Sequence, residues 1–155
     1  MLAVTSPEIE TNHLLALANR GDAKSQFDLS TMYDHLPQPP GAAAAVNRVE
    51  SMKWLLRAAQ QGLSCAQAKL AEQYSDGPAT PSRQIRACTW FILAIESARG
   101  VYRQEAQLGY DRVSARLAPD HLAKAKRIAH AWVRKQRDRN AQTDLARETM
   151  NAWRL

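Results

Sequence analysis

Residues 21–33 of this chain recur 41 positions further on: Gly21, Ser25, Gln26, Leu29 and Tyr33 return as Gly62, Ala66, Gln67, Leu70 and Tyr74. Four of the five are identical and the fifth is small in both copies. An echo at a fixed period of this length marks a stacked-repeat architecture, in which each unit buries its apolar face only against its neighbours. A second set lies between the copies, where Trp54, Ala58 and Gly62 are answered by Trp90, Ala94 and, slightly displaced, Gly100. The unit is therefore a pair of segments, and their spacing makes both helical. Ala66, Leu70 and Tyr74 fall at i, i+4 and i+8 on one stripe, and Trp54 and Ala58 share another. Gly62 sits where the second helix must stop, a position that favours a residue able to adopt the left-handed conformation. Ala58, Ala59 and Ala66 flank that stop and let neighbouring backbones approach closely, while a Trp and a Tyr fill the wider spaces.

Composition agrees with helices. Alanine and leucine supply 43 of the 155 residues and valine and isoleucine only 11, which favours helix over sheet. The chain has the size of one ordinary domain. No apolar run approaches the roughly 18 residues of a membrane span, and the opening Met1 to Pro7 has neither a basic flank nor an extended apolar segment, so a cytoplasmic protein with no membrane partner is expected. Cys65 and Cys88 fall on the two helices of one unit and are expected as free, half-buried thiols.

Trp54, Arg57-Ala58-Ala59, Gly62, Ala66-Gln67, Leu70 and Tyr74 together resemble the Sel-one-like repeat, a relative of the tetratricopeptide repeat found widely in bacteria. Arg86-Ala87 followed by Trp90-Phe91 matches the family's continuation, and the 16-residue step from Tyr74 to Trp90 is the one it uses. Leu55, Ala71 and Arg83 depart from the usual aromatic, glycine and acidic residue. The first unit has 21 residues between Tyr33 and Trp54, the surplus lying in the loop that contains Leu36 to Gly41. The resemblance implies an all-α fold, an α/α solenoid of six to seven helices. An N-terminal half repeat over 6–20, opened by a Ser6 cap, precedes repeats at 21–61 and 62–99 and a degenerate capping unit at 100–139. Ser82 is the expected cap of the helix carrying Trp90. Helices are expected from about Tyr102 to Leu117 and from Pro119-Asp120, followed by a tail over 140–155, partly helical through Leu145, Met150 and Trp153, or loose.

No constellation of catalytic residues stands out. Gly62-Leu63-Ser64-Cys65-Ala66 approaches a nucleophile elbow, but its second glycine is missing and the repeat register already explains Gly62 and Ala66 as packing residues. A hydrolase using Ser64 or a thiol is thus a remote third reading. Phosphate-binding glycine loops and His-Glu-x-x-His are absent from the sequence. His121 and His130 are nine apart on one helix and point to opposite faces, and His13 and His35 are lone. Glu96 and Glu105 have no evident desolvated cleft. Disulfide-rich relatives linked to β-lactams have a cysteine framework that this chain lacks. No enzyme, metal or cofactor is expected.

Two surfaces remain. With Leu29, Tyr33, Leu70 and Tyr74 inward, the stripes Lys24, Asp28, Thr31 and Cys65, Lys69, Glu72 face away from the core, and their mixed charge suits a protein or peptide partner. The leading expectation is a non-enzymatic scaffold gripping such a partner on the first helices of its repeats. The alternative is a basic adaptor. From Asp120 onward nine Lys or Arg face four acids, a local net of +5 within a total of +6. Lys124, Lys126, Arg127, Arg134, Lys135, Arg137 and Arg139 line the polar side of a helix whose other side carries Leu122, Ile128 and Trp132, and could contact nucleic acid or an acidic surface. A solvated capping-helix face is the preferred account of the same charge, because no aromatic interleaving and no nucleic-acid motif accompanies it. The Pro37–Pro40 loop reads as an insertion before it reads as a polyproline ligand. Trp90 is expected in the core, its loss costing on the order of 3 to 5 kcal/mol, and Lys69 in solvent, costing about 0.5 kcal/mol or less.

Overall fold

The computed structural model describes residues 7–36 and 42–152, and among them are seven α-helices and no strand. They are α1 (Pro7–Asn19), α2 (Ala23–His35), α3 (Ala42–Gln60), α4 (Ser64–Ser75), α5 (Pro81–Ser97), α6 (Gly100–Ser114) and α7 (Pro119–Ala152). Packing is sequential from α1 to α6, with α4 touching α6 lightly and α7 returning to lie on α5.

The 41-residue echo is an echo of hydrogen bonds. Gly21 and Gly62 turn the chain at φ +97° and +91°, the left-handed region that glycine enters without steric penalty. Gly21 N–H donates to the Ala18 carbonyl at 3.1 Å and Gly62 N–H to that of Ala59 at 3.0 Å. Gln26, 4% exposed, donates Nε2 to the Ala18 carbonyl at 2.9 Å, and Gln67, 1% exposed, donates to the Ala59 carbonyl at 3.1 Å. Both carbonyls lie in the last turn of the preceding helix, where four C=O groups lack intrahelical partners. Each amide oxygen then accepts from the end of the following helix: Gln26 Oε1 from Gln61 Nε2 at 2.7 Å, and Gln67 Oε1 from Ser97 Oγ at 3.0 Å. One buried glutamine thus joins three successive helices, which is why the residue is identical in both copies.

Helix ends follow local chemistry. Asp22 caps α2 by accepting from Ser25 N–H at 2.7 Å, and its hydrogen bonding to Ser25 holds the carboxyl below its ordinary range. The cap of α5 is Thr80, which accepts from Arg83 N–H at 3.4 Å, and not Ser82. Pro81 takes the first helical position, for which its fixed φ is suited, and so moves Ser82 inside the helix. Arg83, the departure from the expected acid, has a task of its own. Its guanidinium donates to the Gln73 carbonyl at 2.8 Å, near the C-terminus of α4, and lies over the Tyr74 ring at 5.7 Å. Gly77 leaves room for it, since a Cβ there would collide with the guanidinium. The helix α6 ends at Ser114 and not Leu117, with Ala115 still in the right-handed helical region as its C-cap. Ser6, Pro37 to Gly41 and Trp153 lie outside the described residues.

Three apolar clusters run along the array. Trp54, 3% exposed, packs with Ala18 and Leu29; Leu55, Ala58, Ala66 and Leu70 form the middle; Phe91, Cys88, Ala94 and Ala106 form the last. Tyr74 and Trp90 belong to both of the latter two. Trp90 is only partly buried, a correction to its expected core position. Trp54 is covered by α1 and α2, whereas Trp90 lies where α3 and α7 part, in an apolar groove of about 240 Å3 shared with Leu56 and Trp132. Helix α7 approaches α5 closely through Ala125 and Ala129, both fully buried, and carries Trp132 to the turn at Gly62. It does not break at 140. At 34 residues it is about 51 Å long, and side chains 137–145 and 147 are exposed, so this stretch neither packs back nor unravels.

Replacing Gln67 by Ala should lower unfolding free energy by about 1–3 kcal/mol, the cost of leaving buried polar groups short of partners. Gln67→Glu should cost more at neutral pH and recover part of the loss below about pH 5, where a protonated carboxyl can donate again. Urea denaturation of both variants would measure this, and a Gln67→Ala midpoint equal to the parent's would refute the joint.

Candidate functional site

The outward stripes of α2 and α4 meet. Lys24 Nζ lies 2.8 Å from Asp28 Oδ2 in an exposed pair, and both charges act on the Cys65 thiol across the gap. Lys69 is not a solvated side chain, as the spacing alone suggested. Its ammonium reaches from α4 to α2, 2.7 Å from Asp34 Oδ2 and 3.4 Å from Thr31 Oγ1, and lies 5.6 Å from the Phe27 ring centroid. The paired side chains are 25% and 28% exposed, so the pair is a partly shielded tie between the two repeats. Thr31 is also turned toward its own helix, donating to the Phe27 carbonyl at 3.1 Å. One turn after Lys69 along the same stripe of α4, Glu72 lies within reach of the charges of α6. Desolvation raises its carboxyl, with Asp76 and then Glu105 adding and Arg112 opposing. Leu108, 69% exposed, stands three residues after Glu105 and four before Arg112 on one stripe of α6.

Of the five residues expected to grip a partner, Lys24, Asp28 and Glu72 are on this open face and Lys69 and Thr31 are largely spent on joining α2 to α4. Sequence reasoning missed Asp34, which simple extension of the Thr31 stripe by three residues would have found. It also missed Leu108, because α6 falls outside the 41-residue register.

The elbow-like residues sit in the helix–helix turn before α4. The Cys65 thiol is pushed up chiefly by desolvation, the opposite of the lowering that arms a nucleophilic cysteine. Cys88 is fully buried, and burial pushes it up to about 11. Both cysteines are free. Among the described residues no three His, Cys, Asp or Glu side chains come together as a metal set, and no helix is long and apolar enough to cross a membrane.

The seven cations of α7 do not form one face. Lys126, Arg127, Arg134 and Arg137 share a side with His130 at three- and four-residue spacing, whereas Lys124, Lys135 and Arg139 lie about 120–180° further round. The first side opens on a groove of about 510 Å3 lined by Glu96, Arg103, His130, Val133, Arg134 and Arg137. A neighbouring groove of about 330 Å3 shares Glu96, Val133 and Arg137 and adds Trp132, Gln136 and Asn140. Trp132 shares that second groove with Arg137, but it lies about 140–160° round the helix from Arg137 and Arg134 and is absent from the first groove. Trp132 was assigned to the apolar side of the helix, and it is only partly buried there. His130 was legible four residues before Arg134; Arg103, from another helix, carried no local signal.

Two measurements test this site. Lys69→Ala should cost about 1 kcal/mol, and a double-mutant cycle with Asp34→Ala should show coupling of about 0.5–1 kcal/mol after solvent screening; additive losses would remove the tie. The second concerns pH. The Cys88 thiol keeps its proton to about 11 when folded and to about 9.0 when unfolded, so the folded state binds more protons in between. Stability is complete below about pH 9 and should fall as pH rises toward 11, by up to about 1.4 kcal/mol per pH unit. Urea midpoints across that window should fall less steeply in Cys88→Ala, and identical slopes would contradict the assignment.

No protein-family model matches this chain and no curated protein is significantly similar to it in sequence, so the functional reading rests on the geometry.

Proposed function

We propose that the chain is a non-enzymatic scaffold, an α/α solenoid of Sel-one-like repeats in a bacterial cytoplasm, that holds a peptide or protein partner on its first helices. The 41-residue recurrence of the glycine turn and glutamine joint supports the repeat reading. The observation that carries the function is the continuity of the α2, α4 and α6 surface. Lys69 ties α4 to Asp34 of α2, and Glu72 feels Arg112 and Glu105 of α6, so three outward stripes lie side by side. Charges of both signs surround the exposed Leu108. Such a face suits a polypeptide with its own mixed charges and one apolar anchor, bound by surface complementarity with no chemical step.

Selection of peptides from a displayed random library on the immobilised protein tests this reading. Binding of an enriched peptide should survive moderate salt and weaken at least about tenfold in Glu72→Lys and in Leu108→Asp, a hot-spot-sized loss. Val46→Asp, at an exposed position on α3, should leave it unchanged. Failure to enrich any peptide, or equal loss in all three variants, would overturn the proposal.

A further inference from the structure

The cationic groove between α6 and α7 is not explained by a peptide-binding face on the first helices. Arg103 projects from the first turns of α6, Arg134 and Arg137 from α7, and His130 lies between them, with Glu96 of α5 the acid in the lining. Among the described residues, no ion pair or hydrogen bond engages any of the three guanidinium groups. Three guanidinium groups around one carboxylate leave an excess of positive charge that repels itself, and an anion relieves that repulsion. The N-terminus of α6 adds to the field. It opens behind Arg99 with no side-chain cap and no acid in its first turn, which leaves its N–H groups and positive dipole end uncompensated beside Arg103.

We propose that this groove takes the sugar-phosphate backbone of a single-stranded nucleic acid. Guanidinium groups match phosphate oxygens in a two-pronged geometry. The row is long enough for a strand, since Lys126, His130, Arg134 and Arg137 follow one side of α7 over about 16 Å. The adjoining groove, joined through Arg137, offers the partly exposed Trp132 ring and the amides of Gln136 and Asn140. An aromatic surface with amide donors and acceptors next to cations suits a base attached to its phosphate, which an acidic peptide would not use. Lys124, Lys135 and Arg139 line neither groove and are outside the site.

The experiment is fluorescence anisotropy of a labelled mixed-sequence single-stranded oligonucleotide with the full chain at several salt concentrations. Arg134→Glu/Arg137→Glu should weaken binding at least about tenfold at low salt and flatten the salt dependence by roughly two phosphate contacts. Lys124→Glu/Lys135→Glu changes net charge by the same amount and should weaken it by about threefold or less, through long-range attraction alone. Circular dichroism verifies that both variants remain folded. Equal weakening by the two pairs, or no binding at low salt, would overturn the groove. Poly-glutamate bound as tightly as the oligonucleotide would show a general polyanion surface, and inorganic triphosphate bound as tightly would show a small-anion site; either result overturns the strand.

Discussion

A buried amide at each joint sets the geometry from which the rest of this structure follows. Burying a glutamine is unfavourable unless its donors and acceptor are satisfied, and Gln26 and Gln67 meet that demand only in one arrangement of three helices. The amide nitrogen needs the last turn of the helix before, and the oxygen needs a donor at the end of the helix after. A leucine in the same place would bury more apolar surface and accept many arrangements; the glutamine specifies one. Because both joints use the same bonds, α2 and α4 come out in phase. Their outward stripes then lie at matching heights, which is what allows the ammonium of Lys69 to reach both Asp34 and Thr31.

The third joint is built differently. The glutamines of α6 are Gln104 and Gln107; both are exposed, and Gln107 pairs with Asp111 of its own helix. In place of an amide, the Phe91 ring lies against Gly109 so tightly that a Cβ there would collide with it, and Ala106 closes the contact. Packing by shape leaves the helix after it free to diverge. Helix α7 covers α5; the space left between α5, α6 and α7 carries Arg103, Arg134 and Arg137, and the space between α5, α7 and the Gly62 turn carries Trp132.

What was legible in the sequence is what repeats. Gly62 as a left-handed stop, Leu70 and Tyr74 as core-facing, and helices at nearly every expected place all follow from spacing, since a 3.6-residue period is a local property. The misses share the opposite character. Thr80 displaced Ser82 as a cap through the conformational constraint of one proline. Trp54 and Trp90 are equivalent in the repeat but differ in burial, because what covers a ring is another helix, not its own sequence neighbours. The tie from Lys69 to Asp34 and the meeting of Arg103 with Arg134 each join helices, and helical period says nothing of distance between elements. The stretch after Asn140 carries too little apolar periodicity to announce a helix, and α7 continues through it because its first half is already held on α5.

The two surfaces do not compete for the same side of the protein. On α6, Glu105, Leu108 and Arg112 share one stripe, while Arg103 lies roughly 140–200° away around the helix. The open face of the first helices and the cationic groove therefore look in different directions from the same element. Their electrostatics differ in kind as well. The first has charges of both signs, several already paired, so its field falls off quickly and selects by local fit. The second sets three unpaired guanidinium groups against the one carboxylate of Glu96, and these act together and attract from a distance. The two proposed surfaces, one for a polypeptide and one for a nucleic-acid strand, thus have α6 in common.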